Sequence, residues 1–117
     1  MNTNKIIYWV TTVLMCLIFA FSAGMYILRY DMIAEYFPTL GFPSWVVAPL
    51  AAVKILGIIA VLTNKLKVLT EWAYAGFFFD AVLAFGAHHM AQDGGGMVAT
   101  VAIIATVISR IMLKFRY

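Results

Sequence analysis

The sequence contains very few charged residues and only one cysteine. Charged residues make up 11% of the 117 positions, whereas hydrophobic residues make up 65%. A soluble domain has roughly 25% charged and roughly 45–50% apolar residues, so this composition indicates an integral membrane protein. Because Cys16 stands alone, the chain has no intrachain disulfide, no CxxC redox pair and no cysteine-based zinc cluster.

Motifs for catalysis in water are also missing. The sequence has no phosphate-binding glycine loop and no readable catalytic triad, and we therefore do not expect an enzyme that acts alone. The formal net charge of +3 does not indicate nucleic-acid binding in so apolar a chain. What matters instead is where the basic residues lie relative to the apolar runs.

Four apolar stretches are each long enough to cross a bilayer. A spanning helix needs about 20 mostly apolar residues, and the stretches cover about residues 6–28, 44–63, 68–87 and 97–113. The sequence therefore predicts one integral membrane domain over residues 1–117, an all-α transmembrane four-helix bundle with up-down connectivity. In the first connector, Asp31 is predicted to cap a short helix that runs through Phe37.

The basic residues predict the orientation of the bundle. They cluster at the ends that hold the termini and the second connector: Lys5, Lys65, Lys67, Arg110, Lys114 and Arg116. The other two connectors hold a single basic residue, Arg29, together with Asp31, Glu35 and the histidines. The positive-inside rule then places both termini in the cytoplasm. We expect a multi-pass membrane protein.

One lysine, Lys54, lies in the middle of the second span. A lysine at the bilayer centre costs at least ~2.5–3.5 kcal/mol and needs a partner inside the bundle. Lys54 and Asp80 are each thirteen positions from Lys67, near the turn between spans two and three. Equal distance from the turn means equal depth in an antiparallel pair. We therefore predict a Lys54–Asp80 ion pair, which either fixes the helix register or belongs to a functional cavity.

A stripe of small residues places Asp80 on one face of its helix. The stripe, spaced by three or four positions, consists of Ala73, Gly76, Asp80, Ala84 and Ala87. Since small residues allow helices to approach closely in lipid, this face is predicted to point into the bundle. Gly57, one turn beyond Lys54, is predicted to offer the matching close approach on the second span.

A second ion pair is predicted at the cytoplasmic end. Glu71 and Arg110 are equidistant from the third connector, near residues 90–91. Glu71 lies about 180° around its helix from Asp80 and so cannot share its partner. Two interpretations stay open: Glu71 pairs with Arg110, or it pairs with Lys67 one turn earlier while Arg110 reaches towards the interface.

The two adjacent histidines are poor candidates for a metal or haem site. His88 and His89 point about 100° apart on a helix, which does not suit joint coordination of one metal. Both lie at the predicted outer interface, and His88 is kept as a candidate polar residue of a site. We expect no metal and no haem.

The segments "AVKILGIIAVL" and "LKVLTEWAYAGFFFDAVLAFGAHHMAQDGG" resemble the DoxX-like family of small four-helix bacterial membrane proteins. The resemblance covers nearly the whole chain, and the run Glu71 to Phe77 is its most specific part. It extends to Lys54, Asp80 and a histidine at position 88 or 89. The family's usual Gly-Asp after the histidine is replaced by Asp93 and Gly94. The resemblance implies a link to quinol and thiosulfate oxidation, through subunits of redox assemblies, and a location in the bacterial inner membrane.

Three classes of function follow. The first is a membrane subunit of a redox assembly that binds a quinone, with Tyr74, Phe77 and Phe78 lining an isoprenoid-sized groove beside the polar residues. The second is a small-solute or proton carrier that uses Lys54 and Asp80, and the third is a scaffold protein. We favour the first. The expected partners are membrane lipid, a redox protein and a second copy of the chain, and no nucleic acid.

Overall fold

A computed structural model describes residues 2–91 and 96–116 of the chain. Within these residues, five α-helices occur in the order α1 (Thr3–Leu28), α2 (Tyr30–Tyr36), α3 (Val47–Thr63), α4 (Lys67–Ala91) and α5 (Gly96–Ile111). Short 3₁₀ turns cover Phe37–Leu40, precede α3 at Ser44–Val46 and follow α5 at Met112–Phe115. The described residues form no β-strand, so the all-α prediction is confirmed.

Four of the helices are long and apolar enough to cross a membrane. With their 3₁₀ extensions, these segments are Thr3–Leu28, Ser44–Thr63, Lys67–His89 and Gly96–Phe115. The predicted spans differ from them by a few residues at most, because polar residues also continue a helix into the headgroup layer. Asn2 shows this at the start of α1, where its side chain accepts a hydrogen bond from the Lys5 N–H at 2.8 Å.

The four long helices pack in a ring. Helix α1 lies against α3 and α5, and α4 lies against the same two helices from the opposite side. Helices α1 and α4 face each other across the bundle, and there the aromatic side chains of Phe19 and Phe77 stack with centroids 4.3 Å apart. The molecule measures 44 × 26 × 21 Å, and its long dimension matches a bilayer with its headgroups, which is about 40–45 Å thick.

Helix α5 contributes small and weakly polar residues to the interior of the bundle, while large apolar side chains cover much of the outside. All the buried residues of α5 are small: Ala99, Ala102, Ala105, Thr106 and Ser109. Leu17, Phe21 and Leu56 are more than 60% exposed. This pattern suits lipid as the surrounding solvent, because helix association there depends on close packing and not on hiding apolar surface.

The first connector contains the predicted short helix, but Asp31 does not cap it. Helix α2 begins at Tyr30 and its cap residue is Arg29, so Asp31 lies within the first turn, where a carboxylate favours the helix N-terminus. The 3₁₀ turn that follows ends at Gly41, whose φ of 90° is left-handed. Glycine adopts that conformation without steric cost, so the chain can turn there into α3.

The N-terminus, the C-terminus and the end of α3 meet at one end of the bundle. Arg116 donates a hydrogen bond to the Tyr8 hydroxyl at 3.0 Å and another to the Val61 carbonyl at 2.7 Å. We call this the terminal end. The shared position of the termini agrees with up-down connectivity, and the side of the membrane on which they lie remains a prediction.

Reporter fusions will test that orientation. A fusion after Lys67 is expected to report the cytoplasm and a fusion after Asp93 the opposite compartment, because Lys65, Lys67 and the C-terminal basic residues lie at the terminal end. Asp93 itself lies outside the described residues. Activity of an alkaline phosphatase fused after Lys67 would reverse the predicted orientation.

Candidate functional site

Lys54 lies inside the bundle and contacts two neighbouring helices. Its Nζ is 3.5 Å from Asp80 Oδ2 on α4, so the predicted contact between the two residues is present. The ammonium also donates a hydrogen bond to Ser22 Oγ on α1 at 2.7 Å and lies 4.0 Å from the ring centroid of Tyr26. Lys54 is 5% exposed. A buried ammonium with these three partners is well compensated in a low-dielectric interior.

Sequence reasoning missed the α1 partners of Lys54. Ser22 and Tyr26 are four residues apart and therefore lie on one face of α1, directly opposite the lysine. The serine within an apolar span was a usable signal, since polar side chains in membrane helices usually bond across to a neighbouring helix.

A groove of about 670 Å³ separates α3 from α4 on the lipid-facing side of the bundle. Lys54 and Asp80 line one part of it, and Thr63 and Lys65 line it near the terminal end. The remaining walls are apolar: Leu50, Val53, Leu56, Gly57, Ile59, Ala60, Leu66, Leu69, Trp72, Ala73, Gly76 and Phe77. From Leu50 to Thr63 the groove follows α3 for about 20 Å. Its volume falls within the range of ligand sites, about 300–1,000 Å³.

The small-residue stripe of α4 borders this groove and does not form the predicted close contact. Ala73, Gly76 and Asp80 line the groove, and a Cβ added at Gly76 would meet nothing within 4 Å. The core face of α4 is instead formed by its buried residues Thr70, Tyr74, Phe77 and Ala81. The physical reason is that the small residues leave unfilled space beside α3, and that space is the groove.

Gly57 receives an aromatic ring from α4. A Cβ added at Gly57 would lie 2.8 Å from the edge of the Phe77 ring. The predicted close approach at Gly57 is therefore present, but its partner is a large side chain of the core face. Phe77 lines the groove and contacts both Gly57 on α3 and Phe19 on α1. The same side chain therefore belongs to the groove wall and to the packed interior of the bundle.

Tyr74 does not line the groove, which corrects its predicted place beside Lys54 and Asp80. Its hydroxyl is hydrogen-bonded to Ser109 Oγ at 2.7 Å, and Ser109 Oγ lies 2.5 Å from Thr12 Oγ. These three residues form a core hydroxyl cluster between α1, α4 and α5. The reason is rotational: positions 74 and 80 are about 120° apart around the helix.

Glu71 and Arg110 form the interhelical ion pair that was one of the two interpretations. Arg110 Nε lies 2.8 Å from Glu71 Oε1 and 3.1 Å from Oε2. Both side chains are 48% exposed, so the pair contributes about 1 kcal/mol or less. It belongs to neither the groove nor the hydroxyl cluster. The local pair with Lys67 is not the arrangement found.

His88 is separated from the groove. It lies two turns beyond Asp80, about 12 Å along α4, and its ring is 6.5 Å from that of Tyr36 in the first connector. Within residues 2–91 and 96–116, no three His, Cys, Asp or Glu side chains are grouped as metal ligands. The Asp93–Gly94 departure from the family pattern lies outside the described residues.

Arg116 is a buried residue that sequence reasoning treated only as part of a basic terminus. It is 8% exposed, and its guanidinium donates hydrogen bonds to the Val61 and Leu62 carbonyls and to the Tyr8 hydroxyl. The last carbonyls of a helix have no partner within it. Arg116 satisfies two of them for α3, and its guanidinium carbon lies 4.9 Å from the Trp9 ring centroid.

A ring of four membrane-length helices, with a buried lysine–aspartate pair beside an apolar groove, defines a small multi-pass integral membrane protein. The chain belongs to the DoxX-like family, whose profile matches residues 10–109. The match reaches all four spans and includes the Lys54–Asp80 pair and Glu71, and it ends one residue before Arg110. No curated protein and no solved structure matches the chain.

Proposed function

We propose that this protein is a quinone-binding membrane subunit of a redox assembly in the bacterial inner membrane. The observation that carries the proposal is the groove between α3 and α4. It combines about 670 Å³ of mostly apolar space with a lysine–aspartate pair. A quinone has the same division into a polar ring and a long isoprenoid tail, so both parts would find matching surroundings.

Different residues of the groove would contact the ring and the tail of a quinone. Asp80, held in place by Lys54, would contact the polar ring, and the apolar walls that run towards Leu66 and Trp72 would hold the tail. Val53, Leu56 and Trp72 are each more than 60% exposed. The groove is therefore open to the bilayer, and a ligand would enter sideways from the lipid. Electrons would be exchanged with a partner protein, since the groove supplies binding alone.

The arrangement of polar groups favours quinone binding over proton or solute transport. The Lys54 site and the core hydroxyl cluster at Tyr74 are separated by an apolar layer that contains Met15, Phe19 and Phe77. Within this layer, the aromatic side chains of Phe19 on α1 and Phe77 on α4 stack on each other. A carrier would have to open that packed layer, whereas a quinone reaches Asp80 from the lipid without doing so.

Quinone binding by the purified protein tests the proposal. Gly76→Leu is expected to reduce binding of a short-tailed quinone in nanodiscs at least about tenfold, because Gly76 borders the groove and has open space at its Cβ position. Gly86→Leu is the matched control: it lies on the same helix, its Cβ position is also open, and it does not line the groove.

Equal loss of binding in the two variants, or no binding by the wild-type protein, would contradict the proposal. Proton flux through liposomes that contain the wild-type protein would favour a carrier. A stable partner protein, isolated without bound quinone and without flux, would favour a scaffold. A homodimer or a redox partner that co-purifies together with quinone agrees with the proposed assembly.

A further inference from the structure

The two members of the buried ion pair differ in how completely they are partnered. An ammonium has three hydrogen-bond donors. The Lys54 ammonium faces Ser22 Oγ at 2.7 Å, Asp80 Oδ2 at 3.5 Å and the Tyr26 ring at 4.0 Å from its centroid. The ammonium is thus surrounded by three partners, and the residue is 5% exposed. Lys54 therefore has little remaining capacity to donate to a ligand in the groove.

The Asp80 carboxylate can still accept hydrogen bonds from a ligand. A carboxylate offers about four lone-pair positions, and among the described residues Lys54 is its single polar partner, at 3.5 Å. The Asp80 side chain is 27% exposed and lines the groove. The walls beside it, such as Gly76 and Phe77, carry no side-chain donor. This part of the groove therefore presents an unsatisfied hydrogen-bond acceptor to whatever binds there.

We propose that the groove selects a ligand whose polar head donates a hydroxyl hydrogen bond to Asp80. This inference rests on the proposed function: for a quinone, it means that the reduced form, the quinol, binds in preference to the oxidised form. A quinol ring carries two O–H donors, whereas the carbonyls of the oxidised ring only accept. In a water-poor groove an acceptor placed against a carboxylate leaves both groups unpaired, and an anionic head would be repelled.

Binding of three matched probes to the full-length protein in nanodiscs tests the inference. The probes are a short-tailed quinone, its quinol under anaerobic reducing conditions, and the dimethyl ether of that quinol. The quinol is expected to bind at least about tenfold more tightly than the other two probes. One hydrogen bond to a charged group contributes enough free energy for a difference of that size. The ether keeps the ring and tail but has no O–H group, so this comparison needs no variant.

Asp80→Asn provides the second measurement, since an amide both donates and accepts. The preference for quinol over quinone is expected to fall to about twofold or less in this variant. Equal affinities of quinol and ether for the wild-type protein would overturn the inference, as would equal affinities of quinol and quinone. In both cases the groove still binds quinones and the proposed function stands. If none of the three probes binds, the proposed function fails as well.

Discussion

Asp80→Leu is expected to lower the free energy of unfolding by about 3 kcal/mol. Breaking a buried ion pair by removing one partner costs about 3–5 kcal/mol, because the other charge remains without compensation. Lys54 would remain with the neutral partners Ser22 and Tyr26, which hold part of its charge. We therefore expect the lower end of the range. Reversible unfolding of the micelle-bound protein in dodecyl sulfate, followed by circular dichroism, gives the value.

The double variant Lys54→Met/Asp80→Leu distinguishes the effect of an unpaired charge on stability from the effect of altered packing. It is expected to recover most of the loss caused by Asp80→Leu, because no unpaired charge is left and both new side chains are apolar. Ser22→Ala is a useful companion, since it removes one hydrogen bond to the ammonium while the ion pair stays in place. A double variant that is less stable than Asp80→Leu would show that the pair is not the source of the loss.

The same double variant distinguishes a structural from a functional role of the pair. If it folds stably and still binds the quinol as tightly as the wild-type protein does, Lys54 and Asp80 only fix the register of α3 against α4. If it folds stably and quinol binding is lost, the pair is part of the site. Both results can be compared with Gly76→Leu, which fills the groove and leaves the charges in place.

Arg116→Gln is expected to lower the free energy of unfolding by about 2–3 kcal/mol. The substitution removes charge-assisted hydrogen bonds to the Val61 and Leu62 carbonyls and to the Tyr8 hydroxyl. Each hydrogen bond to a charged group contributes roughly 1.5–3 kcal/mol. Water at the membrane interface would solvate part of what is left unpaired, so the contributions are not expected to add fully. The unfolding assay described above measures the effect.

Lys114→Gln is the matched control for Arg116→Gln. Lys114 carries the same charge two positions earlier, but it is exposed, and its ammonium lies 5.2 Å from the Phe115 ring centroid. Its substitution is expected to change the free energy of unfolding by less than about 0.5 kcal/mol. Similar losses in both variants would mean that net positive charge at the terminal end, and not the buried contacts of Arg116, stabilises the fold.

The sequence by itself determined the number of helices, their approximate ends and the depth of the charged residues. A span has to be apolar and about 20 residues long, which restricts the assignment strongly. Depth follows from counting outward from a turn. This is why the sequence matched Lys54 with Asp80 and gave Arg110 as one of two candidate partners of Glu71. Helix rise is constant, so such counting works without knowledge of side-chain packing.

The tertiary structure alone decided which face of each helix points inward. Lipid tails are as apolar as a bundle core, so hydrophobicity does not distinguish a lipid-facing side chain from a buried one. The small-residue stripe of α4 borders a groove, whereas the small residues of α5 form its buried face. Shape complementarity among large and small side chains makes that choice, and it depends on all four helices at once. For the same reason Tyr74 belongs to the core hydroxyl cluster, Ser22 and Tyr26 contact Lys54, and Arg116 binds the end of α3.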